Sequence, residues 1–413
     1  MVQPRQILIA GGGIGGLAAA LACRRAGWEV RLAERADAFG EIGAGVQLGP
    51  NAMRCLAAWG LEAPVRTVAC FPERLRVHRA GDGAELATLG LGAALAGRYG
   101  APYATIHRAD LHRVLLDAVQ ALPGVQLHLG QELTQWEQDS MAVTARVRHD
   151  DGVEVETQAD ALLGADGLRS RVRSVLLGDD AVHPAGHLAY RAVAAQRSLP
   201  ARLRSQDVTV WLGPHLHVVH YPLRGGELLN LVAICHGRPP SDLVHWDHAA
   251  HADDVRALLS GACTELRDRV GALAQSGGVW RLWPLLERPP VAAPEEMARG
   301  LVALLGDAAH PMRPYLAQGA GMALEDAAEL QQALAMDALD VPLRLRRYAL
   351  NRWQRVARVQ RRSRRNGGIF HATGALRVAR DASLRLLGGH LLDLPWLYAG
   401  GPAVPPDAGA SVN

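Results

Sequence analysis

Lysine is absent: all 44 basic residues of this 413-residue chain are arginine. Without a lysine amine no Schiff base can form, which excludes pyridoxal-phosphate chemistry. The phosphate-binding loop of ATPases is excluded with its lysine. Cysteine is scarce. Cys23, Cys55, Cys70, Cys235 and Cys263 are an odd five with no CxxC spacing, so neither a disulfide framework nor a metal site is expected, and a reducing, cytoplasmic setting fits. Net charge is only +3, too little to argue for nucleic acid or an acidic partner. Long uncharged runs are lacking too. Residues 7–22 carry no charge, but a GGGIGG turn breaks the run. We read it neither as a signal peptide nor as one of the ~18–20-residue segments that span a bilayer.

What is present is ordinary in bulk. Apolar residues make up 49% and charged residues 21%, as in a globular chain of two or three domains. Gln6–Ala10 (QILIA) reads as a buried strand, followed by a glycine turn, a helix over 14–26 and a strand at Glu29–Ala33. That βαβ opening predicts a parallel sheet with helices on its faces. Helices are expected over 52–59 and 111–122, the latter followed by strand-like VQLHL and MAVTARV. Between 208 and 235 three β-rich runs are separated by Gly213-Pro214 and Arg224-Gly225-Gly226, which suggests an inserted antiparallel sheet. The α/β pattern returns at 301–305 (LVALL), with a helix over 320–336. A helix over 341–365 carries ten arginines. It reads as a solvated face with Leu343, Tyr348, Trp353 and Val356 packed inward, in preference to a nucleic-acid surface. The tail from residue 397 reads as disordered.

Three glycine-bearing turns follow apolar strands. In the first, Gly11, Gly13 and Gly16 form GxGxxG, with Ile14 and Gly15 opening the helix. The spacing permits a tight turn, a close approach of pyrophosphate and close helix packing, and the helix N-terminus favours phosphate. Glu34, 23 residues after Gly11, ends the next strand, where a carboxylate can bind an adenosine ribose. The second is Gly306-Asp307, with Gln318-Gly319-Ala320-Gly321 opening a helix just downstream. Asp307 can accept a hydrogen bond from a polyol chain, and the helix N-terminus favours a ring that becomes anionic. The third is Asp166-Gly167 with Ser170 and Arg173, which also reads as a turn and a helix cap.

In order and spacing these segments resemble the p-hydroxybenzoate hydroxylase family of FAD-dependent monooxygenases, over about residues 5 to 365. Within it QLGPN, YATIHRADL, HVVHYPLRGGE and GDAAHPMRPYLAQGAGMALEDA are most similar to enzymes of the 3-hydroxybenzoate 6-hydroxylase, salicylate hydroxylase and 6-hydroxynicotinate 3-monooxygenase types. The resemblance implies a Rossmann-like FAD-binding domain (1–75, 102–180, 285–340), an inserted antiparallel β-sheet substrate domain (76–101, 181–284) and a C-terminal helical region (341–396). It implies FAD contacts from Gly11, Gly13, Ile14, Gly15, Gly16, Glu34, Arg35, Arg108, Asp166, Gly167, Gly306, Asp307, Gly319, Ala320 and Gly321. NADH or NADPH is expected as a transient co-substrate, since no second nucleotide-binding unit is visible. A monomer or homodimer is expected.

The family chemistry reduces the flavin, captures O2 as a C4a-hydroperoxide and inserts one oxygen into an electron-rich ring. A phenol with a pKa near ~10 is about one part in a thousand phenolate at pH 7, so deprotonation in the site is worth about 4 kcal/mol. A base beside the substrate is expected. His217, Val219 and Tyr221 alternate onto one strand face, and His217 and Tyr221, ~13 Å apart, can meet opposite ends of a one-ring acid. The resemblance gives both a substrate-site role, and Gln318, in PYLAQG beside the expected flavin ring, can like Tyr315 donate a hydrogen bond to a substrate oxygen. Gln47, Tyr315 and Tyr190 are expected to bind substrate, and His310 to be structural. Gln47 stands where 6-hydroxynicotinate 3-monooxygenase has histidine, which counts against a pyridine substrate. A flavin dehydrogenase or oxidase would share every FAD motif.

Overall fold

The structure is a computed structural model that describes residues 5–40, 44–178, 182–243 and 247–402. The apolar strand Gln6–Ala10 is buried from Ile7 onward, with Ile7, Leu8 and Ile9 at most 1% accessible. It lies between Glu29–Ala33 and Ala161–Gly164, parallel to both. Val125–His128 and Val302–Leu304 extend the parallel set, and the edge strand Ala298–Arg299 alone runs antiparallel in this sheet. Parallel strands buried on both faces read as unbroken apolar runs, which is why LVALL and ALLG show no alternation. Val302–Leu304, Ala161–Gly164 and Gln6–Ala10 are neighbours in that order. The three glycine-bearing turns that leave their C-terminal ends therefore emerge side by side.

The 208–235 runs become Val208–Gly213, Leu216–Leu223 and Leu228–His236, central strands of an eight-stranded sheet. The sheet is antiparallel except where Val208–Gly213 runs parallel to Arg74–Arg79, a strand more than a hundred residues earlier. Helices Ala252–Leu258 and Thr264–Gln275 cover one face, burying Trp211, Val218, Leu231 and Leu273. The other face meets Tyr315 and Phe370 and the strand Gly45–Leu48, which pairs with Ala104–His107.

The arginine-rich helix runs from Val341 to Phe370 and is capped by Asp340, whose carboxylate accepts from the Leu343 N–H at 2.9 Å. Tyr348 and Val356 are buried as expected, but Leu343 is 47% exposed and Leu345 is buried in its stead. The inward stripe is Leu345, Tyr348, Arg352, Val356 and Val359, at three- and four-residue spacing, and residue 343 falls outside it. Leu397 and Tyr398, expected to begin a disordered tail, instead lie buried in a short helix, Pro395–Tyr398. Arg54 fixes it by donating to the carbonyls of Tyr398 at 2.7 Å and Gly400 at 2.6 Å. The rest of that tail, 403–413, lies outside the described residues.

Candidate active site

The first turn is tight for steric reasons. Gly11 lies at φ +102°, and a Cβ there would sit 2.5 Å from the Ala165 carbonyl oxygen, in the neighbouring turn. A Cβ at Gly16 would collide with the Gly11 carbonyl. Gly13 has nothing within 4 Å of where its Cβ would be, so the N-terminus of helix Ile14–Arg25 is open to a ligand, and no side chain caps it. Glu34 holds this loop: one oxygen accepts from the Gly12 N–H at 2.6 Å and the other from Ala36 N–H at 2.9 Å. His112 supports it from beneath, 2.8 Å from the Gly12 carbonyl. Arg35 is exposed, and Arg108 begins the helix Arg108–Gln120 with its N–H on the Ala44 carbonyl at 2.8 Å. Bare N–H groups, an open glycine and a carboxylate at the next strand end are the features a dinucleotide needs, so these residues fit FAD.

The second and third turns are bolted together. Arg173 is fully buried and donates to the carbonyls of Ala308 and Leu168, both at 2.7 Å. Asp166 caps the helix Arg171–Leu177, accepting from Arg171 N–H at 2.7 Å and Val172 N–H at 3.1 Å. Ser170 accepts from Arg173 N–H at 2.9 Å. Burial raises the Asp166 pKa against the pull of these bonds. The helix-cap reading of this segment is therefore realised, leaving Gly167, at φ +77° with open space above it, as the part that faces outward.

Asp307 presents an exposed carboxylate at the mouth of its strand. Its turn is tied down by Asp326, which accepts from Gly306 N–H at 3.0 Å and lies 2.5 Å from His310 Nε2. Arg352 completes the anchor, donating to Asp326 at 2.8 Å and to Glu325 at 2.7 Å. Burial would raise the Asp326 pKa, but His310 and Arg352 overturn that and hold it near 2. His310 is thus a structural partner. None of Glu325, Asp326 and Arg352 was expected from the sequence; the signal was two acids side by side in the apolar first half of the helix, GAGMALEDAA.

Gln318 is the N-cap residue of the 16-residue helix Gly319–Leu334. Its side-chain oxygen accepts from Asn51 at 2.9 Å, and Asn51 also donates to Glu325 at 2.7 Å. Gly319 is open above, whereas a Cβ on Gly321 would press on the Gln318 oxygen at 2.9 Å. Ala317, just before, sits at φ +51°, a left-handed conformation costing roughly 1–2 kcal/mol for a residue with a Cβ. Strain of this kind is held in place by surrounding structure and concentrates at functional sites.

On the inserted sheet His217, Val219 and Tyr221 share a face with Ile234, Val232 and Asn230 of the next strand, and with Ala189 and Arg191 beyond it. Tyr190 does not join them. It pairs with Ala233, opposite Val218, and packs into the core under the covering helices. The residue on the face of His217 and Tyr221 is Arg191, whose guanidinium lies 3.9 Å over the Trp283 ring. Burial lowers the Arg191 pKa to about 10, opposed by Tyr221. Tyr221 is 3% exposed and abuts Gly45, where a Cβ would come within 2.5 Å of its ring. Burial raises its pKa to about 12 against the pull of Arg191 and Gln47. Gln47 accepts from the Tyr103 hydroxyl at 2.6 Å.

His217 is 3% exposed, with its Nδ1 2.8 Å from His371 Nε2 and its ring 5.1 Å from that of Tyr315. Burial, then His187, lowers its pKa to about 3, so the ring is neutral. The Tyr315 hydroxyl is engaged with His187 Nδ1 at 2.7 Å, and burial raises its pKa. The sheet face thus presents the neutral imidazole of His217, the buried Tyr221 phenol, the buried Asn230 amide and the Arg191 guanidinium, with the Tyr315 phenol packed against it.

The family profile described as "FAD binding domain" matches residues 5–227 and 289–363. A 3-hydroxybenzoate 6-hydroxylase of Polaromonas naphthalenivorans (strain CJ2) is 39% identical over 376 residues, 91% of this chain and 90% of that protein. A 6-hydroxynicotinate 3-monooxygenase of Bordetella bronchiseptica is 36% identical, covering 88% of this chain and 91% of its own. Among solved structures, Klebsiella pneumoniae HpxO complexed with FAD and uric acid superimposes with a TM-score of 0.80 at 26% identity, covering 94% of each chain.

Proposed function

The chain belongs to the FAD-binding-domain family, and from that premise we propose that it is an FAD-dependent monooxygenase hydroxylating a phenolic aromatic acid with NAD(P)H and O2. The single observation that carries this reading is the sheet face bearing His217, Tyr221 and Arg191 together, in a chain whose three adjoining turns fit FAD. Relatives named for hydroxybenzoate and hydroxynicotinate hydroxylation agree with it.

The residues that would hold FAD are Gly11, Gly13, Ile14, Gly15, Gly16 and Glu34 around the dinucleotide, with Arg35 and Arg108 nearby. Gly167, Gly306 and Asp307 would add to them from the two neighbouring turns, where Asp166 acts as a helix cap and not as a direct contact, and Gly319, Ala320 and Gly321 offer the helix N-terminus. Bound flavin supplies electron transfer from NAD(P)H and the activation of O2 for insertion into the ring. The protein's own part begins with the proton. His217 Nε2 is the nitrogen left free by the bond to His371, and it takes the phenol proton. The imidazolium so formed is buried, but the phenolate beside it supplies the opposite charge that stabilises it. Tyr221 and Gln47 bind the far end of the ring, and Arg191 meets the negative charge of the acid. Gln318 and Tyr315 bound the site on the helix side. A hydroxylated pyridine carboxylate has the same outline, but Gln47 in place of that enzyme type's histidine favours the benzoate.

Among the described residues no helix is long and apolar enough to cross a membrane. A cytoplasmic monomer or homodimer is part of the same reading. The test is a screen of monohydroxybenzoates and hydroxynicotinates for stimulated NADH or NADPH oxidation by the FAD-loaded protein. We expect at least one hydroxybenzoate to stimulate it. If none of these acids does, the assignment of substrate class is wrong.

A further inference from the structure

Where the inserted sheet meets the end of the arginine-rich helix, His187, His236 and His371 converge. His187 and His236 are direct cross-strand partners with rings stacked at 4.5 Å. His371 caps the helix C-terminus, its ring 5.1 Å from His187 and 5.0 Å from His236. One nitrogen of each lies within 4.8 Å of one nitrogen of the other two. His187 and His371 are buried, whereas His236 reaches solvent.

The hydrogen bonds decide which nitrogens are available. His187 spends Nδ1 on the Tyr315 hydroxyl at 2.7 Å, and His371 spends Nε2 on His217 Nδ1 at 2.8 Å. His371 Nδ1 is left buried with no partner, and a buried polar atom of that kind calls for an explanation. Metal-binding imidazoles characteristically donate their second N–H to a protein acceptor, which fixes ring and tautomer. Both buried rings already have such an acceptor. Mutual burial also keeps the rings in the neutral, ligating form, with His371 lowered to about 2 and His187 to about 4. Arg313, a cation acting on His187 and His236, is engaged by Glu287 in a two-point ion pair at 2.6 and 2.9 Å, a carboxylate it shares with Arg364.

We propose that His187, His236 and His371 bind one divalent transition cation of the Zn²⁺, Ni²⁺ or Cu²⁺ class, and that its binding inhibits turnover. Three imidazoles without a carboxylate select these ions over Mg²⁺ or Ca²⁺, and leave a fourth position for water. Bonds of about 2.0–2.1 Å need the nitrogens closer than the 4.8 Å that bounds their separations, and His236, exposed, is the ring with most room to move. The inhibition follows from tautomers. A cation on His371 Nδ1 requires the proton on Nε2, which must then donate to His217 Nδ1. Neutral His217 is thereby forced to carry its own proton on Nε2, the nitrogen that otherwise accepts from substrate. This second half rests on the reading of His217 as the base; the binding half does not.

Titrate Zn²⁺ by calorimetry into chelator-treated, FAD-loaded protein. The expected result is one site per chain of micromolar affinity or better, weakened at least tenfold in His236→Ala and unchanged in His390→Ala, an exposed histidine elsewhere. Absence of a one-site isotherm, or wild-type affinity in His236→Ala, overturns the site; this arm needs no substrate, so it stands apart from the hydroxylase reading. In turnover, Zn²⁺ should inhibit the wild type along the same binding curve, EDTA should restore activity, and His236→Ala should be resistant. Stoichiometric binding without inhibition overturns the tautomer mechanism.

Discussion

His217 has one nitrogen on His371 and is otherwise enclosed by Tyr315 and Phe370, so a single nitrogen remains for a substrate. It lies on the inserted sheet, away from the three turns that fit FAD. His217→Ala should therefore leave flavin binding and the flavin spectrum near normal while cutting hydroxylation by about 10²–10⁴-fold, the usual contribution of acid–base catalysis. NADH oxidation should fall less, with the difference recovered as hydrogen peroxide. Wild-type rate and coupling would remove His217 from the mechanism. Tyr190 and Arg191 give a paired test. Because they point to opposite faces, Tyr190→Phe should leave KM unchanged and Arg191→Gln should raise it severalfold; the reverse pattern would mean that the faces are wrongly assigned. That His217 and Tyr221 share a face was legible in sequence because residues two and four apart on any strand point the same way. The facing of Tyr190 was not, since HLAYRAVAA in its strand, His183–Ala195, shows no alternation of polar and apolar residues that marks which side chains point inward. Glu34 was legible by position, but its grip on the Gly12 and Ala36 N–H groups was not. Glu34→Ala should weaken FAD retention by about 1.5–3 kcal/mol, the scale of a hydrogen bond to a charged group, measured by FAD titration of the deflavinated protein.

At the scale of elements, the helix Gly319–Leu334 and the helix Val341–Phe370 are joined by buried charge. Glu325, Asp326 and Arg352 are at most 2% exposed, and Asp326 also fixes the Gly306 turn. Removing one partner of such a group leaves an uncompensated charge, so Arg352→Met should destabilise the FAD-loaded protein by about 3–5 kcal/mol in urea denaturation. An unchanged midpoint would show that the network contributes little. The sign of the pH effect follows from Asp326. Its folded pKa of about 2 lies below the ordinary carboxylate value of ~3.9, so its stabilisation is complete above that value and is lost as pH falls toward 2. Asp326→Asn should therefore lose less stability than wild type between pH 4 and pH 2; equal losses would contradict the assigned direction. The helix and its arginines were plain in the sequence. Their partners were not, because Arg352 meets acids 26 and 27 residues away, a separation that leaves no local pattern.

Across the whole molecule, the parallel sheet could be read from strand–glycine–helix order, since glycine marks each turn: Gly11 and Gly16 where backbones approach too closely for a Cβ, Gly167 and Gly306 where φ is positive. The adjacency of the three turns could not; it depends on the strand order of the sheet. The parallel seam between Arg74–Arg79 and Val208–Gly213 was hidden for the same reason. The arginine-rich helix is a structural brace in this fold, with Arg344 and Arg352 buried, and DNA binding at physiological salt should be no tighter than the ~10⁻⁴–10⁻⁶ M of non-specific contacts. The fold, the turns that fit FAD and the His217 face serve one act, the insertion of an oxygen atom into an aromatic ring. Supplying isotope-labelled O2 to the FAD-loaded protein with NAD(P)H and its stimulating hydroxybenzoate tests that act directly. One labelled oxygen atom per molecule of hydroxylated product is the predicted result. An unlabelled product, or label found only in hydrogen peroxide, would contradict the account.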